Sequence, residues 1–115
     1  MIIYHNPRCS KSRQALRLLR DNGIEPKIVH YLKDPLTVSE IKVLINKLGD
    51  ASQNIVRIKE SLFKDLKLKG RHLTLDETAE ILSLNPKLLE RPIVVDGEKA
   101  IIGRPPENVL TLLSD

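Results

Sequence analysis

The sequence predicts an α/β fold: a four-stranded mixed sheet with flanking helices and a helical section before a C-terminal hairpin. Three observations predict it. A β-prone run opens the chain and is followed by an amphipathic helix and a second β-prone run. Helical signals then dominate the middle. Near the end the period changes to two β-rich runs separated by Asp96-Gly97-Glu98. A length of 115 residues suits one compact domain, so residues 1–115 are expected to form a single domain.

The elements follow in order. Ile2 to Tyr4 reads as a short strand closed by His5-Asn6-Pro7. A helix starts near Cys9, buries Ala15, Leu16, Leu18 and Leu19 on one face, and ends at Asn22-Gly23. Ile28 to Leu32 reads as the second strand, turned by Asp34-Pro35. A strand, a helix and a strand in this order pair the two strands in parallel through a right-handed crossover. Thr37 and Glu40 have the spacing of a capping box, and Ile41, Leu44, Ile45 and Leu48 form the apolar stripe behind it. Gly49 closes that helix. A short helix carries Leu62, Phe63 and Leu66. Thr74 and Glu77 open another helix with Ile81 and Leu82, which Asn85-Pro86 stops. Pro92 to Val95 and Lys99 to Ile102 read as a hairpin, because Asp-Gly between such runs is a strong turn signal. Pro105-Pro106 then precedes a last helix over Glu107 to Leu113.

Composition excludes several classes of function. Hydrophobic residues make up 41% and charged residues 30%, a globular balance. No apolar run approaches the ~20 residues that span a bilayer, and the N-terminus lacks the regions of a signal peptide. The expectation is a cytoplasmic protein with no membrane partner. The net charge of +4 is a mild excess that does not by itself point to nucleic acid, and it suits a small anion equally well. One cysteine excludes an internal disulfide and a Cys-x-x-Cys pair. Cys9 and three scattered histidines show no metal-ligand spacing, so no metal is expected.

The segment Asn6-Pro7-Arg8-Cys9-Ser10-Lys11-Ser12-Arg13 lies where a strand gives way to a helix. The first turn of a helix offers free N–H groups and the positive end of the dipole, which bind anions and lower a thiol's pKa. Arg8, Lys11 and Arg13 add positive charge, and Ser10 and Ser12 add donors. The local pattern fits a nucleophilic thiolate, a buried structural thiol or a simple N-cap. His5 either influences Cys9 through hydrogen bonding or simply caps a turn at the strand end. His30 and His72 read as ordinary surface residues. Arg57, Arg91 and Arg104 are the residue type preferred for a tetrahedral oxyanion, since the guanidinium stays charged and donates in pairs. Only a fold that brings them to Cys9 makes them a site.

These residues carry a resemblance. His5-Asn6-Pro7-Arg8-Cys9-Ser10-Lys11-Ser12-Arg13, Glu90-Arg91-Pro92-Ile93-Val94-Val95 and Gly103-Arg104-Pro105 resemble the ArsC-type, glutaredoxin-dependent arsenate reductases. The resemblance covers essentially the whole chain. It implies a thioredoxin-like fold and a cis peptide bond before Pro92. It also implies that Cys9 attacks arsenate while Arg57, Arg91 and Arg104 hold the oxyanion, with His5 helping to lower the thiol pKa. Ser10, Ser12 and Pro92 are supporting residues in this reading. The resemblance implies no bound cofactor. With no second cysteine, the adduct needs an external thiol, so glutathione is the implied reductant and glutaredoxin the implied partner. Ser61-Leu62-Phe63 stands where the family tends to have an acidic residue, proline and tyrosine. Two alternatives share the fold: a Spx-like transcriptional regulator that binds RNA polymerase, and a glutathione-linked thiol oxidoreductase. Cys9 without a partner cysteine, together with Arg91 and Arg104, favours the reductase.

Overall fold

A computed structural model describes residues 1–113. The chain forms two compact units. The first joins Met1–Asp34 to the C-terminal part from Arg91, and the second is Pro35–Glu90.

The first unit holds the sheet. Its strands are β1 (Ile2–Tyr4), β2 (Lys27–Val29), β3 (Ile93–Asp96) and β4 (Lys99–Ile102), in the order β2-β1-β3-β4. β1 runs parallel to β2 and antiparallel to β3, and β3 pairs with β4 as the expected hairpin from Ile93↔Ile102 to Asp96↔Lys99. Gly97 turns the hairpin at φ +59°, where a side chain would be strained. Helix α1 spans Ser10–Asp21, and a 3-10 helix covers Pro106–Leu113. These two helices touch, and their apolar faces meet the sheet in one cluster: Ile3, Ala15, Leu16, Leu19, Val94 and Val109. Alternation along a three-residue β1 puts only Ile3 fully into this core.

β2 is shorter than the run of β-prone residues and begins one residue earlier. β1 offers three partners, Ile2↔Lys27 to Tyr4↔Val29, and the ladder ends when the His5 N–H donates to the Val29 carbonyl. The chain then turns, with the Lys33 and Asp34 N–H groups both donating to the His30 carbonyl. The turn carries Tyr31 inward, where it is completely buried.

The second unit is helical. It contains α2 (Val38–Leu48), a 3-10 turn (Gly49–Asn54), α3 (Ser61–Asp65), α4 (Leu75–Leu84) and a 3-10 turn (Pro86–Leu88). Both capping boxes form reciprocally: Thr37 with Glu40, and Thr74 with Glu77. They satisfy N–H groups that a helix start leaves unpaired. α2 and α4 pack together, burying Ile41, Leu44 and Leu48 with Ala79 and Leu82. Ser83 Oγ donates to the Leu36 carbonyl at 2.8 Å. Among the described residues no helix is long and apolar enough to cross a membrane.

Candidate active site

Cys9 occupies the N-cap of α1 with extended backbone (φ −96°, ψ 122°), and its carbonyl accepts the first helical bond from the Arg13 N–H. The N–H groups of the preceding turn therefore lack carbonyl partners in the helix. Asn6 builds the approach: its side chain accepts from the Arg8 N–H at 3.0 Å, and its carbonyl accepts from the Cys9 N–H at 3.0 Å. Cys9 as a residue is 9% exposed.

Two arginines from the far end of the chain converge on this sulfur. Arg104 Nη2 lies 3.5 Å from Cys9 Sγ, and the Arg91 side chain also hydrogen-bonds the thiol. They brace each other, because Arg104 Nε donates to the Arg91 carbonyl at 2.8 Å. Asn108 holds the loop, its side-chain amide donating to the Arg104 carbonyl at 3.0 Å. Tyr31 lies against the Arg91 guanidinium. The peptide bond before Pro92 is cis, and so is Arg104–Pro105. The Gly103 N–H donates to the Pro92 carbonyl, and a Cβ on Gly103 would come within 2.8 Å of the proline ring. Glycine there lets the Arg104 loop lie against Pro92.

The electrostatics follow from this placement. Burial pushes the Cys9 thiol up, but other effects outweigh it: the Ser12 N–H, the Arg91 hydrogen bond, the Lys11 N–H and the Arg91 charge. The net effect lowers the thiol pKa below its ordinary value. Ser12 is completely buried; its Oγ accepts from the Asn6 N–H at 3.1 Å and lies 2.6 Å from His5 Nδ1. His5 thus reaches the loop through the residue whose N–H faces the sulfur. Burial, then the charges of His30, Arg20 and Arg13, depress the His5 pKa, which keeps the ring neutral near pH 7.

The thiol should titrate below the free value of about 8.5 when followed by thiolate absorbance. A transition at or above that value contradicts the geometry described. The sign carries over to stability. An acid whose folded pKa is depressed contributes stability above its unfolded value and loses it as pH falls through the folded value.

The structure places the other sequence-predicted residues as follows. Ser10 is the exposed first residue of α1, and Pro92 is buried. Arg57 belongs to the second unit. Its N–H donates to the Leu88 carbonyl at 2.7 Å, beside a bridge between Val56 and Leu89. Its guanidinium donates to Glu60 Oε1 at 3.1 Å and to Glu90 Oε1 at 2.6 Å. The sequence pattern assigns no site role to Tyr31, Asn108 or Glu60, and it quotes Asn6 and Glu90 only as parts of motifs. An Asn two residues before an Arg and three before the cysteine was a readable turn signal; the others needed tertiary geometry.

A four-stranded mixed sheet, a lone cysteine starting the first helix and a cis-proline loop beside it define a thioredoxin-like fold with a single thiol. The ArsC family model matches residues 4–112, and the chain belongs to that family. An arsenate reductase from Haemophilus influenzae is 46% identical, covering 98% of each chain. An uncharacterized Escherichia coli protein, YfgD, is 47% identical over 96% of this chain and 94% of its own. The solved structure of an arsenate reductase from Vibrio cholerae superposes with a TM-score of 0.90 at 44% identity, covering 96% of this chain and 94% of that one.

Proposed function

We propose that this protein is a cytoplasmic arsenate reductase, one domain over residues 1–115, which uses Cys9 as its only redox group and an outside thiol as its source of electrons. The observation that carries the reading is the convergence of Arg91 and Arg104 on the Cys9 sulfur at a helix start. Relatives named arsenate reductase at 46% and 37% identity support the choice of oxyanion. Arsenate takes the place beside the thiol where the arginines and the free N–H groups neutralise its charge. The Cys9 thiolate attacks arsenic and a water molecule leaves. Glutathione then supplies the second thiol. Arsenic gains two electrons and departs as arsenite, and the two sulfurs are left joined as a mixed disulfide. Glutaredoxin removes the glutathionyl group and returns Cys9 to its thiol form. Arg57 is the third oxyanion ligand in this proposal. Ser10 supplies a further donor at the first turn. His5 and Ser12 hold the N–H that faces the sulfur, and Pro92 shapes the wall beside Arg91.

Intact-mass measurement tests the chemistry without a protein partner. Incubation with arsenate and glutathione should add one glutathionyl group per chain, at Cys9, at a rate that depends on arsenate. Labelling at the same rate without arsenate, or none at all, counts against the mechanism.

A further inference from the structure

The charge of the protein is unevenly placed. Five of its 19 basic residues, Arg8, Lys11, Arg13, Arg17 and Arg20, lie between positions 8 and 21 with a single acid, Asp21; the remaining 14 of each sign cancel. The net +4 of the whole chain is therefore the net charge of the Cys9 loop and α1. All six side chains are exposed. Arg20 shares its guanidinium with Glu25, but Arg8, Lys11, Arg13 and Arg17 have no acidic partner among the described residues. A groove of about 500 Å³ runs along this face, lined by His5 and Pro7 of the active loop and by Arg13, Arg17 and Arg20 of α1.

Distance decides what this charge is for. At a rise of about 1.5 Å per residue, Arg20 lies about 16 Å along the helix from Cys9. The Debye length in physiological salt is about 8 Å, so the far arginines add little to the binding of a small oxyanion at the thiol. An extended tripeptide reaches about 10 Å, too short to span the row. A macromolecule with an acidic face spans it. We propose that the exposed basic face of α1, continuous with the Cys9 loop, is the landing surface for an acidic face on the protein thiol donor. This rests on the function proposed above, in which a donor thiolate attacks the glutathione sulfur of the Cys9 mixed disulfide. That attack releases Cys9 as thiolate and leaves the glutathionyl group on the donor. A surface rich in arginine speeds such encounters and sets their orientation.

The experiment compares wild type with Arg17→Glu and Arg17→Glu/Arg20→Glu, using reduced glutaredoxin as the donor and Lys99→Glu as a control on β4. Arsenate-dependent glutathionylation of Cys9, read by mass, should be unchanged in Arg17→Glu and in Lys99→Glu. The kcat/KM for glutaredoxin should fall about tenfold in the double variant, less in the single one, and not in Lys99→Glu. Added salt should lower the wild-type value and scarcely alter that of the double variant. An unchanged kcat/KM in both variants overturns the docking surface while leaving the proposed reduction intact. Tight binding of a short DNA duplex in physiological salt, lost in the same variants, also overturns it by assigning the face to nucleic acid. Wild-type protein that is not glutathionylated in response to arsenate brings down the reading of function itself.

Discussion

Cys9→Ser should abolish arsenate-dependent turnover, by about a thousandfold or more, while leaving the fold intact. Serine nearly matches the thiol in size, and the position is a helix N-cap, where serine is well tolerated. The loss is chemical. Three influences lower the pKa of the Cys9 sulfur: the Ser12 N–H, the Lys11 N–H and Arg91. A serine hydroxyl in the same cradle stays protonated, because its free pKa lies far above that of a thiol. Nor can it accept a glutathionyl group, so the route to arsenite is closed at two steps. No other cysteine can take over. Turnover by the serine variant at a rate near that of wild type would remove Cys9 from the mechanism.

Arg91→Ala and Arg104→Ala should each lower kcat/KM for arsenate about ten- to a hundredfold. A hydrogen bond to a charged group is worth about 1.5–3 kcal/mol, and every 1.4 kcal/mol is tenfold. Lys11→Ala should do much less, since its exposed ammonium is a flexible, well-hydrated charge and only its N–H faces the sulfur. The two arginine variants should differ in one respect. Arg91 both hydrogen-bonds and charges the thiol, so its removal should raise the Cys9 pKa directly. Arg104 acts at 3.5 Å from the sulfur and also braces the Arg91 carbonyl, so its removal disturbs binding through two residues. Equal and small effects in all three variants would remove the pocket.

Local features of the fold were readable wherever the sequence itself carries the cause. The two T-x-x-E boxes, the Asp96-Gly97 hairpin and the strand-to-helix switch at Cys9 each depend on a few adjacent residues. The end of β2 was not readable, because it is set by the three-residue length of β1 and by Tyr31 turning into the core. The Pro105-Pro106 signal locates the last helix in the chain, but its 3-10 winding reflects hydrogen bonds such as Asn108 N–H to the Pro105 carbonyl.

The site divides in the same way. The Cys9 loop announces its chemistry through adjacent polar and basic residues. Arg91 and Arg104 are separated from Cys9 by more than 80 positions and gain meaning only when β3 and β4 join the sheet beside β1. The clamp of Glu60 and Glu90 on Arg57 could not be anticipated, since Arg57 and Glu90 are 33 residues apart. The overall charge of +4 sits in the Cys9 loop and α1, and it forms an exposed face because α1 turns Arg13, Arg17 and Arg20 to solvent and Ala15, Leu16 and Leu19 to the core.

The central claim is that Cys9 reduces arsenate with electrons from an outside thiol. The most direct measurement is NADPH consumption in the presence of glutathione, glutaredoxin and glutathione reductase, with arsenate added last. Sustained consumption should start with arsenate and stop when either glutathione or Cys9 is removed. No turnover at millimolar arsenate would contradict it.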